Sequence, residues 1–127
     1  MTAAERAARE TVVAALRELT TSGLNRGTAG NVSLRFGAAM LITPSAVSPS
    51  ELTPDLVAKT DLADESGAFE GERPPSTEWR FHRDILRARP EANAVVHTHS
   101  PFATVLAIGR REIPAVHYMI AGFGGPT

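Results

Sequence analysis

The hydrophobic period of this chain switches between its first two segments, and that switch limits what it can fold into. Ala8, Val12, Ala15, Leu16 and Leu19 recur at helical spacing, which predicts a helix over Thr2–Thr20. Thr2-Ala3-Ala4-Glu5 fits a capping box and Gly23 supplies a stop. Arg6, Arg9, Glu10 and Arg17 fall on the opposite face, away from the expected core. From Val32 the period drops to two. Val32, Leu34 and Phe36 alternate with Ser33 and Arg35, as in a strand buried on one face. Gly37-Ala38 is a turn, and Ala39–Thr43 reads as the returning strand of a hairpin.

The remainder alternates between strands and helices. Pro49–Leu52 reads as one helical turn capped by Ser48. Leu56–Leu62 is expected to pair with Ala68–Phe69 around a tip at Asp64-Glu65-Ser66-Gly67. Ser76 is placed to cap a helix running to about Ala88, which Pro90 ends. Ala94–His99 reads as a buried strand, and Pro101 opens a helix that ends near Gly109. Ile113–Met119 reads as a further strand. The expected fold is a single α/β domain over residues 1–127, a mixed sheet covered by helices.

Composition removes several function classes. With 127 residues, 43% of them apolar, the chain can fill one core and is a poor candidate for long disorder. Thirteen basic residues against 14 acidic ones give a net charge of -1, which argues against nonspecific nucleic-acid binding. No run approaches the roughly 20 apolar residues of a membrane span. The charged, alanine-rich start lacks the apolar core of a signal peptide, so a cytoplasmic location is expected. The absence of cysteine excludes disulfides, thiolate zinc sites and a cysteine nucleophile. Lys59 is the only lysine, and no second cation lies beside it in the sequence to activate it for imine chemistry.

His97-Thr98-His99 is the sharpest local signal. On a strand, residues i and i+2 share a face and lie about 6.8 Å apart along the backbone. Two imidazoles so placed at a strand's end suit one metal ion, but two ligands alone do not make a zinc site, and two ordinary histidines fit as well. Glu78, in the first turn of the Ser76 helix, is either a carboxylate favoured by the helix dipole or a general base and labile ligand facing the histidines. Gly27-Thr28-Ala29-Gly30-Asn31 and Ser76-Thr77 each offer anion-binding groups, and each also reads as a plain turn or cap. His82 is expected to pack beside Phe81 and Trp79, and His117 to be half-buried. Tyr118, the only tyrosine, is the one phenol available as a proton donor.

Taken in order, these pieces resemble the class II aldolase/adducin family. The resemblance runs through Gly27-Thr28-Ala29-Gly30-Asn31-Val32-Ser33, Ile42-Thr43-Pro44-Ser45 and Pro75-Ser76-Thr77-Glu78-Trp79-Arg80-Phe81-His82. It continues through Ala94–His99 and Ile113–Ala121. It implies a mixed, largely antiparallel sheet flanked by helices in three layers. It also implies reversible, zinc-dependent aldol cleavage of a ketose 1-phosphate, of the L-fuculose 1-phosphate kind, to dihydroxyacetone phosphate and an aldehyde.

Residue by residue, the resemblance implies that His97 and His99 are two of three histidine ligands to one zinc ion per subunit. Glu78 would be the acid/base that also touches the metal. Gly30, Asn31, Ser76 and Thr77 would hold the phosphate, with Thr28 and Ser45 contributing, and Tyr118 would stand near the substrate. The family usually assembles as tetramers. Its third zinc-binding histidine lies in a C-terminal segment expected to be missing here. Ala46 departs from the aldolases, which usually have glycine after Thr-Pro-Ser. A sugar-phosphate 4-epimerase, a dehydratase or a non-catalytic adducin-like domain share the fold and stay as alternatives, and a sugar phosphate is the expected small-molecule partner.

Overall fold

The computed structural model describes residues 1–123. Helix α1 spans Ala3–Thr21, with Thr2 as its N-cap accepting from the Glu5 N–H at 3.1 Å. Only that half of the capping box forms. The Glu5 carboxylate turns instead to Arg9, which is buried rather than solvated and also donates to the carbonyls of Pro54 and Val57. The helical pattern could not show this, because the polar face at Arg9 is covered by the turn Pro54–Leu56.

Strands β1 (Asn31–Phe36) and β2 (Ala39–Ile42) form the expected hairpin, with Gly37 at φ 61° in its turn, where a side chain would be strained. Strand β3 (Ala58–Asp61) pairs with β2. Its outer edge meets the chain at Glu70, by a single bridge to Lys59, not at Ala68–Phe69. Helix α2 spans Trp79–Ala88 and strand β4 spans Ala94–His97. Helix α3 runs from Pro101 to Ile108. The sheet order is β3-β2-β1-β4, antiparallel at every pairing.

Alternation assigns the two faces. Val32, Leu41 and Val57 pack with Val12, Val13 and Leu16 of α1. Met40, Ile42 and Ala58 pack with Trp79 and Leu86 on the α2 side. The result is the three-layer α/β arrangement, helix on sheet on helix, with the sheet antiparallel among the described residues.

Three expectations need correction. First, β1 is not solvated on its polar face: Asn31 and Ser33 are buried beneath α2. Apolar periodicity cannot distinguish a polar residue facing water from one whose partner is another buried polar group. Second, Ala94–His99 is not a buried strand. Only Ala94–His97 is paired, at the sheet's edge, and Val96 is 52% exposed because nothing among the described residues covers that face. Third, Ile113–Met119 forms no strand. It runs irregularly, exposed, into the 3-10 turn Tyr118–Phe123, since it meets no strand edge to pair with.

Candidate active site

Four chain segments converge at one end of β1. The chain at Pro44 and Pro75 forms an antiparallel bridge, and the Ser76 N–H donates to the Thr43 carbonyl at 3.0 Å. This clasp carries Ser76-Thr77-Glu78 from beyond β3 to the start of β1. Ser76 does not cap α2 as expected. Glu78 is the N-cap residue, and the Ser76 hydroxyl accepts from the Glu78 N–H at 3.3 Å. The helix thus starts two residues later, which leaves the Glu78 side chain free to turn toward the sheet.

On the sheet side, Asn31 and His97 are register partners across β1 and β4, so both point at Glu78 from the α2 face. The Asn31 side-chain amide donates to Glu78 Oε2 at 2.5 Å, and His97 Nδ1 lies 2.7 Å from the same oxygen. His99, two residues on, keeps its ring 5.1 Å from that of His97. Donor atoms of Glu78, His97 and His99 all lie within 4.8 Å of one another. Burial works against the charge on Glu78. The hydrogen bonds from Asn31 and His97 and the two nearby imidazoles outweigh it, so its pKa falls below the usual 4.5. Glu78 is therefore ionised at neutral pH, as a base must be.

Beside this cluster lies a cavity of about 350 Å³, walled by Thr28, Gly30, Asn31, Ser45, Ser76 and Thr77 together with Ala46, Glu78 and His99. All six residues expected around the phosphate face this one space. Asn31 does so with both ends of its amide engaged elsewhere, because its oxygen is bonded to His82. Gly30 has a local reason to be glycine: a Cβ there would overlap the buried side-chain amide of Asn25.

Ala46 holds φ at 57°, so the backbone keeps the left-handed turn that glycine would adopt freely. That conformation costs an L residue about 1–2 kcal/mol, part of which glycine returns through its freedom in the unfolded chain. Ala46→Gly is expected to raise stability by about 0.5–1 kcal/mol, read from the denaturation midpoint. A lowered midpoint would mean that the turn is not left-handed in solution.

Tyr118 is not brought to the cavity: it is 83% exposed, and its ring lies tilted 4.5 Å from that of His117, which is exposed rather than half-buried. His82 is fully buried and stacks on Phe81 with ring centroids 4.6 Å apart, as expected. Lys59 extends from the other face of the sheet, between Glu70 at 3.3 Å and Glu5 at 3.9 Å, so the single amine is remote from the histidines. The sequence did not single out Ser33 or Asn25. Ser33 carried a signal in its polar position between Val32 and Leu34, and Asn25 carried none.

Fold and site define a three-layer α/β protein whose polar cavity adjoins a cluster of side chains that could hold a metal ion. The Class II Aldolase and Adducin N-terminal domain matches over residues 10–127, and the chain belongs to that family. It is 52% identical over 119 residues to the 5-methylthioribulose-1-phosphate/5-deoxyribulose-1-phosphate aldolase of Rhodospirillum rubrum, covering 94% of this chain and 52% of that protein. It is 48% identical over 108 residues to the L-fuculose phosphate aldolase of Escherichia coli K12, covering 85% of this chain and 49% of that protein. A solved L-fuculose 1-phosphate aldolase superposes with a TM-score of 0.79 at 35% identity, over 90% of this chain and 54% of that one. The chain therefore spans about half the length of the curated relatives it matches.

Proposed function

We propose that this chain carries the catalytic half-site of a zinc-dependent aldolase. The reaction is reversible cleavage of a ketose 1-phosphate, of the L-fuculose or 5-deoxyribulose 1-phosphate kind, into dihydroxyacetone phosphate and an aldehyde. One observation carries this reading: Glu78, His97 and His99 converge at the mouth of a cavity lined by hydroxyls and small residues. Relatives named for these two activities support the substrate class.

Two imidazoles and a carboxylate form one of the donor sets of catalytic zinc, and their spread within 4.8 Å fits a single ion after small adjustments. Zinc, when bound, supplies a Lewis acid for the charge that develops on the carbonyl side of the broken bond. The protein's own groups do the rest. Thr28, Ser45, Ser76 and Thr77 receive the phosphate, and binding at that remote end fixes the reacting carbon beside Glu78. In the condensation direction Glu78 takes the proton from the carbon next to the carbonyl. In cleavage it returns that proton to the same carbon. Lys59, the one lysine of this chain, lies on the far face and offers no amine at the cavity.

A homotetramer goes with this reading. Helix α3 buries no residue, and Phe102, Val105 and Ile108 are each more than 60% exposed, a face that suits burial against further protein. A cytoplasmic location goes with a charged, phosphorylated substrate that does not cross a bilayer unaided. The test is to assay purified protein on both sugar phosphates, with zinc and with chelator, and to measure bound metal. Chelator-sensitive release of dihydroxyacetone phosphate is expected. Zinc bound by this chain is expected to be weak, below one per chain, and lost in His97→Ala. Tight zinc that survives His97→Ala would place the metal elsewhere.

A further inference from the structure

Beneath the cluster runs a buried chain of polar groups that the reaction as written does not use. We propose that Ser33 and His82 are positioning residues, which lock the Asn31 amide so that its NH2 end always faces the Glu78 carboxylate. The proposal rests on the aldolase reading for its meaning, but not for its geometry.

The geometry follows from alternation. Asn31 and Ser33 lie two apart on β1 and so share the face covered by α2. His82 follows Glu78 by one helical turn and enters between them. Its Nδ1 is 2.8 Å from the Ser33 hydroxyl, and its Nε2 is bonded to the Asn31 side-chain oxygen. Asn31 passes the contact on to Glu78 at 2.5 Å, and Glu78 to His97 at 2.7 Å.

With the His82 ring neutral, only one arrangement of protons satisfies every member. An ionised carboxylate only accepts, so Asn31 must present its NH2 group to Glu78. The Asn31 oxygen then faces His82, so Nε2 must carry the ring's proton. A neutral ring with that proton on Nε2 leaves Nδ1 bare, and the Ser33 hydroxyl must donate to it. The opposite tautomer would favour a flipped amide, with its oxygen pressed against the Glu78 carboxylate. Ser33 thus selects the tautomer, the tautomer selects the amide, and the amide fixes the carboxylate that moves the proton. Burial, helped by the neighbouring His97 imidazole, holds the pKa of His82 down to about 4, so the ring stays neutral through the working pH range.

A histidine kept only for packing would have no reason to prefer one tautomer, and that difference is measurable. Long-range proton–nitrogen NMR on the wild-type chain, labelled at histidine, should show His82 as the neutral Nε2–H form from pH 5.5 to 8.5. The opposite tautomer, or titration of His82 within that range, overturns the proposal. Ser33→Ala should then mix the two tautomers and lower kcat about 10- to 100-fold with KM nearly unchanged. His82→Leu should lose at least as much, and His82→Gln, which keeps a donor toward Asn31, should recover most of it. Wild-type kcat in Ser33→Ala with an unmixed tautomer also overturns it. If the wild type shows the Nε2–H form but cleaves no ketose 1-phosphate, the aldolase reading fails and the lock stands.

Discussion

Glu78→Gln is expected to lower aldol cleavage about 100- to 10,000-fold while leaving the fold intact, the span that a positioned general acid/base contributes. The change is nearly isosteric. Glutamine still offers an oxygen to the Asn31 NH2 group, so the contact now made at 2.5 Å has a replacement. What disappears is the charge and the basicity. The unfolding midpoint should therefore move little, because Glu78 is only half-buried and sits at a helix start. The comparison is kcat on L-fuculose or 5-deoxyribulose 1-phosphate with the denaturation curve of the same preparation. Unchanged kcat would remove Glu78 from proton transfer.

The second large effect concerns stability. Arg9→Met is expected to cost about 3–5 kcal/mol, the loss seen when one member of a buried ion pair is removed and its partner is left charged. Arg9 and Glu5 are 7% and 10% exposed and meet at 2.7 Å. Arg9 also satisfies the carbonyls of Pro54 and Val57, which its loss would orphan. For a chain of this size the melting temperature should fall by roughly 10–20 °C. The double change Glu5→Leu, Arg9→Met should recover most of that. The pair also sets a pH dependence. The hydrogen bond from Arg9, partly offset by burial, holds the Glu5 carboxyl below its usual 4.5. Its folded pKa is depressed, so its stabilisation is fully present above about 4.5 and is lost as the pH falls through the folded value. A midpoint flat from pH 6 to pH 3 would contradict this.

The parts of the fold that sequence made legible are those with a period or a punctuation mark. Helix α1, the β1–β2 hairpin and helix α3 follow from spacing, from Gly37 and from Pro101. The candidate site was legible as residue types: two histidines two apart, a carboxylate before a helix, and two runs of small hydroxyl residues. It was the pairing between distant segments that was not. Nothing local announces that Pro44 clasps Pro75, or that Asn31 lies opposite His97. Arg9 and Ser33 misled for one reason. A hydrophobicity pattern records which residues are apolar, whereas burial of a polar residue depends on a partner far away in the chain. Ile113–Met119 misled in the opposite sense, since a run with strand character makes a strand only where an edge is there to receive it.

The clasp and the register have a consequence for how the molecule reaches its native state. Asn31 bonds to partners 47 and 51 positions away, and no local element places them. Helix α1 and the β1–β2 hairpin can form from near neighbours, but the cavity exists only after β4 has docked on β1 and Pro75 has reached Pro44. Contacts so separated along the chain carry a closure cost that must be met before they return any stabilisation. In a refolding experiment, helical signal should therefore appear before the capacity to bind phosphate. Recovery of anion binding would time the last step of assembly rather than the first.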